Sequence, residues 1–219
     1  MRARNRAAAA LAALLAALPA TGEGPASPEP PCHGPAGAAP GAAPAAPQAA
    51  AETAIQFPDV ELLDQDGRPV RFGADVLAGR IVVMDFVFTT CTTVCPVLNA
   101  IMGRVQGTLP ALGQEVAMVT VSVDPARDTP ARLKALARKL GAGPGWTWLT
   151  GEQESVKQVL KAAGAWTPSF QDHPPMVLVG DTRTGTWTRM NGFPSVERIA
   201  ARAEGLLSAR RTTAAAGGR

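Results

Sequence analysis

Runs of apolar residues separated by polar turns predict a series of strands and helices from about residue 52 onward. The segment "IQFPDVELLDQDGRPVRF" alternates apolar and polar positions around Asp66-Gly67, which predicts a hairpin. The segments "RIVVMDFVF" and "EVAMVTVSVD" are nearly continuous apolar runs, a pattern typical of strands covered on both faces. Further along, "PMVLVGD" and "GTWTRMNGF" predict two strands joined by a turn at Thr184-Gly185.

Four helices are predicted between and after these strands, each from apolar residues at helical spacing. Pro96 suits the first position of the first helix, and Thr129 before a proline is a cap signal for the second. Thr150 and Gln153 have the spacing of a capping box for the third, and the last begins after Ser195. This order of elements predicts an α/β fold whose sheet has a parallel core and an antiparallel edge.

The N-terminal segment has the pattern of an export signal. Three arginines within the first six residues precede an apolar stretch from Ala7 to Leu18, and small residues follow it. This stretch is shorter than the ~20 apolar residues that cross a bilayer as a helix. We therefore predict that residues 1–20 are a signal peptide or a short membrane tether, and that the protein is exported, either periplasmic or tethered facing the periplasm.

Composition sets the remaining boundaries. Residues 21–51 are rich in Ala, Pro and Gly with few large apolar residues, which predicts a disordered linker. Residues 52–208 hold the predicted strands and helices, and 209–219 are predicted to be a flexible tail. The chain has 21 basic and 18 acidic residues, a formal net charge of +3, and removal of the three N-terminal arginines leaves 18 of each. Such a balance gives no indication of nucleic-acid binding.

The candidate chemistry lies in "FTTCTTVCP", where Cys91 and Cys95 stand between a buried strand and a helix. The thiolate is both the nucleophile and the metal ligand, and the unpaired N–H groups at a helix start lower the pKa of a nearby thiol. The pair fits disulfide exchange, metal binding or attack on a peroxide. Cys32 stands with His33 in the linker. We predict that Cys32 is incidental or an intermolecular disulfide partner, with transient copper capture by Cys32-His33 as an alternative.

His173, in "FQDHPPMVLV", is the only histidine of the predicted folded part and precedes a predicted strand. Two thiolates suit Cu(I), and one added imidazole gives a three-coordinate site for Cu(I) or Cu(II). The loop before a late strand can fold back beside the first strand–helix turn, so we predict that His173 joins Cys91 and Cys95 as a metal ligand. A hydrogen bond from its neighbour Asp172 would fix the ring.

Three segments in this order, "FVFTTCTTVCP", "VSVDPARDTP" and "DHPPMVLV", resemble the Sco/SenC family of thioredoxin-fold copper proteins over about residues 55 to 208. The resemblance implies a thioredoxin-like fold, with a central mixed sheet flanked by helices and an N-terminal hairpin. It implies that Cys91, Cys95 and His173 bind copper as Cu(I), Cu(II) or both. It also implies a metallochaperone that delivers copper to, or prepares, the CuA site of cytochrome c oxidase outside the cytoplasm. Its partner would be the CuA-bearing subunit or another copper-handling protein.

Asp85 departs from familiar members of that family, which have an aromatic residue there. Six residues before the first cysteine, it resembles the buried aspartate of thioredoxins, which assists proton transfer from the second cysteine. A buried carboxylate has a raised pKa and can accept a proton near neutrality. Asp85 is therefore predicted to be a proton acceptor or, alternatively, a hydrogen-bonded structural residue. Asp124 and Asp128, in "VDPARDTP", are predicted to shape a turn and cap its helix.

Two rival functions stay open beside metal delivery. A thiol–disulfide reductase acting on a partner's copper-ligating cysteines requires Cys91 and Cys95 to cycle but does not require His173. A thiol peroxidase would use Cys95 as the attacking thiolate, because "TTVCP" matches the Thr-x-x-Cys portion of peroxiredoxin sites. A metallochaperone is not strictly an enzyme, whereas either rival is one.

Overall fold

The computed structural model describes residues 52–109 and 115–217. The predicted signal peptide and linker, with Cys32 and His33, lie outside the described residues. The strands are β1 (Glu52–Ala54), β2 (Glu61–Asp64), β3 (Pro69–Arg71), β4 (Ile81–Val87), β5 (Val116–Ser122), β6 (Trp146–Thr150), β7 (Met176–Asp181) and β8 (Thr186–Asn191). The α-helices are α1 (Cys95–Thr108), α2 (Pro130–Lys139), α3 (Gln153–Ala163) and α4 (Val196–Gly217). A π-helical segment covers Phe72–Leu77 and a 3₁₀ turn covers Phe170–Asp172.

The strands form one mixed sheet in the order β1-β8-β7-β4-β5-β6-β2-β3. The central strands β4, β5 and β6 are parallel, and the strands on either side of them pair antiparallel. The predicted parallel core with antiparallel edges is therefore confirmed. The predicted N-terminal hairpin is confirmed as β2 and β3, with Gly67 in its turn at a φ of 78° that favours glycine.

Alternate residues of the fully buried strand β4 divide the apolar core between the two faces of the sheet. Ile81, Val83 and Val87 pack on the face covered by α1, α2 and α4. Val82, Met84 and Phe86 pack on the opposite face with α3 and the π-helical segment. Because side chains along a strand alternate between faces, Asp85 lies on the side of α1. A continuous apolar run thus places one carboxyl group beneath the helix that starts at Cys95.

Three local predictions are corrected by the structure. Strand β6 was not predicted, and Thr150 ends this strand instead of capping a helix; the N-cap of α3 is Glu152, without a side-chain cap bond. The segment 209–217, predicted to be a flexible tail, continues helix α4, and Arg210 within it binds the carboxylate of Asp181.

Within residues 52–109 and 115–217, no helix is both long enough and apolar enough to span a bilayer.

Candidate functional site

The loop between β4 and α1 brings Cys91 and Cys95 together. The α1 helix begins at Cys95 with proline in its first turn, and the side chain of its N-cap residue, Val94, makes no capping bond. Instead the backbone N–H of Cys95 donates to the Sγ atom of Cys91 over 3.3 Å. An otherwise unpaired N–H group of the helix start therefore serves the first cysteine. Both thiols are free, and Cys91 is half-buried whereas Cys95 is buried.

The two thiols differ in acidity. Partial burial acts to raise the pKa of Cys91, but hydrogen bonds from Cys95 and Thr93 outweigh it and hold this pKa below its ordinary value. Burial, followed by the hydrogen bond to Cys91 and the nearby charges of Cys91 and Asp85, raises the pKa of Cys95 to about 12. Cys91 is therefore the more acidic and more accessible thiol of the pair, and Cys95 the protected one. This arrangement argues against the peroxidase alternative, which required Cys95 to attack.

Asp85 is buried on the same face of the sheet, with 0 % of its surface exposed. Its Oδ1 atom accepts a 2.5 Å hydrogen bond from the Thr120 hydroxyl on β5, and that hydroxyl accepts one from the indole N–H of Trp146. Its Oδ2 atom has no hydrogen-bond partner among the described residues. Burial raises the pKa of Asp85 to about 7, against the smaller lowering effect of Thr120. A carboxyl group that exchanges its proton near neutral pH thus lies close enough to influence Cys95.

His173 follows the 3₁₀ turn and is only 5 % exposed. Its Nδ1 atom lies 3.2 Å from the carbonyl oxygen of Pro174, so the predicted bond to Asp172 is replaced by a backbone contact. Its Nε2 atom is buried with no partner in the described part of the chain. Burial lowers the pKa of His173, which favours the neutral imidazole. A neutral ring with one free nitrogen is the form that ligates metals.

Phe88 contacts all three predicted ligands. Its ring meets the His173 ring edge-on at a centroid distance of 5.9 Å, and its backbone interacts with Cys95 and accepts a 3.1 Å hydrogen bond from the N–H of Cys91. The Phe88 ring also meets the Phe170 ring edge-on, at a centroid distance of 5.1 Å. Phe88 is a site residue that was not predicted, since a phenylalanine at the end of an apolar strand gives no signal beyond core packing.

The structure pairs the cysteines, and His173 packs against the ring of Phe88, the residue whose carbonyl accepts the Cys91 N–H. Within the two described ranges, no three His, Cys, Asp or Glu side chains are close enough together to hold a metal ion, so the predicted ligands do not form one coordination shell. The donor set nevertheless fits a soft metal, because it combines two sulfurs, one of them with a lowered pKa, and an unpartnered imidazole nitrogen. The roles of Cys91, Cys95 and His173 stay predictions.

Comparison with known proteins points to one family. The SCO1/SenC family model matches residues 47–191. A protein of Stutzerimonas stutzeri that is named for copper binding is 39 % identical over 108 residues, which cover 49 % of this chain and 51 % of that protein. The chain spans about half the length of the curated relatives it matches.

Solved structures share the fold. BsSco is a member of the Sco family of cytochrome c oxidase assembly proteins, and a disulfide switch was identified in BsSco. Its structure has a TM-score of 0.63 at 24 % identity, covering 74 % of this chain and 99 % of that one. Arabidopsis thaliana ScoI with copper bound has a TM-score of 0.57 at 20 % identity, covering 73 % and 99 %. The predicted mixed sheet flanked by helices, of the thioredoxin-like type, is confirmed by this likeness.

Proposed function

Because the chain belongs to the SCO1/SenC family, we propose that it is a metallochaperone that carries one copper ion as cargo on Cys91, Cys95 and His173. The copper-binding name of the Stutzerimonas relative and the copper-bound Arabidopsis structure support the choice of metal. The observation that carries the proposal is the environment of the Cys91 thiol. Cys91 is accessible, has a lowered pKa, and accepts a hydrogen bond from the N–H of Cys95 at the start of α1.

The chemistry of the three side chains supports copper as the cargo. Metal binding requires deprotonated cysteines and a neutral histidine, and it releases the protons that these ligands held. Cys91 and His173 are already biased towards the required forms. Cys95, with a pKa raised to about 12, would have to lose its proton on loading. Copper binding should therefore strengthen as the pH rises.

We propose the CuA-bearing subunit of cytochrome c oxidase as the acceptor, because BsSco belongs to a family of oxidase assembly proteins. Delivery would take place outside the cytoplasm, where the Arg-flanked apolar segment at the N-terminus would direct or tether the protein. Cell fractionation tests the location, and recovery of the protein in the cytoplasm would contradict it.

Copper titration of the full chain under anaerobic conditions tests the site. We expect one tightly bound copper per chain, lost in Cys91→Ser and in Cys95→Ser because each change removes a thiolate ligand. His173→Ala should weaken binding by at least about 10–100-fold, the loss seen when only the supporting partners of a ligand are removed. Affinity is measured by competition with chelators for Cu(I) and for Cu(II) separately.

The chain contains its own matched controls. Cys32→Ser and His33→Ala remove a cysteine and the other histidine outside the described residues. They should leave stoichiometry and affinity unchanged. Full copper binding in all three site variants, with loss in the control variants, would place the site in the N-terminal segment and contradict the proposal.

A second candidate function is thiol–disulfide reduction, favoured by the contrast between the two thiols and by Asp85. The Cys91 thiolate would attack a partner disulfide, forming a mixed disulfide and releasing one partner thiolate. Cys95 would then give its proton to Asp85 and attack Cys91 Sγ, which releases the second partner thiolate and leaves a Cys91–Cys95 disulfide. The partner gains two electrons and this protein loses two. His173 takes no part, so a His173→Ala protein that exchanges disulfides but fails to support oxidase assembly would exclude this step as the whole function.

A further inference from the structure

Asp128 makes contacts that a turn-forming residue does not need. It is 1 % exposed. Its Oδ1 atom accepts hydrogen bonds from the Thr89 backbone N–H at 3.1 Å and from the Thr89 hydroxyl at 2.5 Å. Its Oδ2 atom accepts a hydrogen bond from the Ser122 hydroxyl at 2.6 Å and shares the Thr89 N–H at 3.2 Å. The carboxylate therefore joins the carboxyl ends of β4 and β5 just before α2, whose cap is the neighbouring Thr129.

Thr89 is the second residue after β4 and opens the loop that carries the reactive pair. One residue earlier, the Phe88 carbonyl accepts the N–H of Cys91, and at the far end of the loop Cys91 Sγ accepts the N–H of Cys95. The loop between these contacts is short, and the side chains of Thr90, Thr92 and Thr93 are exposed. Asp128 is thus the buried side chain that fixes the entrance of the loop to the sheet.

Asp124 provides the contrast within the same turn. It is 4 % exposed, but its carboxylate receives hydrogen bonds from Arg127, three residues away in the turn. Within the described ranges, its side chain makes no hydrogen bond or ion pair with the cysteine loop. The Asp124 arrangement is enough to form the turn, so the hydrogen bonds that Thr89 donates to Asp128 serve another purpose.

We infer that Asp128 is a positioning residue for the reactive cysteines, which holds the loop so that Cys91 stays in line with the N–H of Cys95. This inference rests on the proposed function, in that Cys91 and Cys95 are the working pair, but it does not require copper delivery. A carboxylate suits the role because one group accepts from three donors at a buried position, and such charge-assisted bonds are stronger than neutral ones. In an asparagine at this position, the NH2 group would face one of the N–H or O–H donors and could not accept its hydrogen bond.

Alkylation kinetics of Cys91 test the inference in the full chain carrying Cys32→Ser, where Cys91 is the more accessible of the two remaining thiols. The rate with iodoacetamide is followed against pH, with the midpoint potential of the Cys91–Cys95 pair as a second readout. In Asp128→Asn the pH profile should move to higher pH, and the rate at pH 7 should fall about threefold or more, the change that half a pKa unit produces in the thiolate fraction. Thr89→Val should show a smaller change in the same direction.

Two variants separate positioning from general stability. Thr89→Ser keeps the hydroxyl, so its alkylation rate should follow the same pH profile as wild type. Asp124→Asn should leave the pH profile and the midpoint potential unchanged, whatever it does to the melting temperature. The inference is overturned if Asp128→Asn and Thr89→Val melt earlier but titrate like wild type, or if Asp124→Asn moves the profile equally. If Asp128→Asn does not fold, the comparison of Thr89→Val with Thr89→Ser tests the inference in its place. Copper titration of the same variants shows separately whether the proposed cargo site is wrong.

Discussion

Asp85 on β4 and Asp181 on β7 are both buried aspartates of the central sheet, yet they have opposite surroundings. Arg210 binds Asp181 through two nitrogens, at 2.7 and 2.5 Å, and the backbone N–H of Arg183 adds a third bond. Asp85 has one partner, the Thr120 hydroxyl, and an Oδ2 atom without any within the described ranges. Since β7 runs antiparallel to β4 and Asp181 is paired with Ile81, the two carboxyl groups lie towards opposite ends of β4.

The difference shows in their acidities. Burial acts to raise the pKa of Asp181, but the hydrogen bonds and charge of Arg210 outweigh it and the pKa is lowered. The same effect of burial, without a cation to oppose it, raises the pKa of Asp85 to about 7. One end of the sheet is therefore built for stability, while the end beside the cysteines keeps a poorly satisfied carboxyl group. Such groups are characteristic of functional sites.

The largest expected effect comes from breaking the satisfied end. Arg210→Met should reduce the free energy of unfolding at pH 7 by about 3–5 kcal/mol, because removing one partner leaves a buried charge uncompensated. Urea unfolding measures the loss. Arg211→Met, at the exposed neighbouring position, is the matched control and should change stability little. Equal stabilities of the two variants would show that the Arg210–Asp181 pair contributes nothing beyond a surface charge.

The pair also predicts a pH dependence. Because the pKa of Asp181 is lowered on folding, its stabilisation is present above the unfolded value near 4 and is lost as the pH falls through the folded value. Arg210→Met should remove this part of the acid sensitivity.

Asp85→Asn should increase the free energy of unfolding at neutral and higher pH, in contrast to Arg210→Met. A carboxyl group whose folded pKa is raised from 3.8 to about 7 destabilises the fold increasingly as the pH rises between those values. At 1.36 kcal/mol per pKa unit, the wild type should lose up to roughly 4 kcal/mol across this range relative to the variant. Unfolding at pH 4 and pH 8 measures it: the two proteins should be close in stability at pH 4, with Asp85→Asn more stable at pH 8. Asp181→Asn, less stable than wild type at pH 8, is the counter-variant. A constant difference at both pH values would contradict the raised pKa.

Much of the fold could be predicted from the sequence, but only where the signal is local. The hairpin, β4, β5 and the start of α1 follow from apolar patterning and from Pro96, and Asp85 stands out through its resemblance to the buried aspartate of thioredoxins. Strand β6 was missed because it is short. Its last residue, Thr150, also fits a helix cap.

The contacts that decide the site join distant residues. Asp128 lies 39 residues from Thr89, and Arg210 lies 29 from Asp181. The sequence names residues suited to a turn or a tail at these positions, but only the packed sheet shows which partner each one meets. Likewise the sequence predicts that His173 returns to the cysteines, whereas the contact between the His173 and Phe88 rings is a product of packing.

The smallest effect concerns the support of Asp85. Trp146 and Trp148 lie side by side, with ring centroids 5.0 Å apart, and both are buried. The Trp146 indole N–H donates to the Thr120 hydroxyl over 2.8 Å, whereas the Trp148 indole N–H has no partner in the described part of the chain. Trp146→Phe and Trp148→Phe remove similar volume, so the difference between their unfolding free energies reports the hydrogen bond, about 1 kcal/mol.

The same pair tests whether Thr120 is held towards Asp85. Without the Trp146 donor the Thr120 hydroxyl is free to turn away, and because its bond lowers the pKa of Asp85, that pKa should rise further in Trp146→Phe. The pH range over which stability falls should then extend above 7 in Trp146→Phe and stay in place in Trp148→Phe. Identical ranges in the two variants would mean that Thr120 keeps its orientation unaided. The acidity of Asp85 would then depend on burial and the Thr120 bond alone.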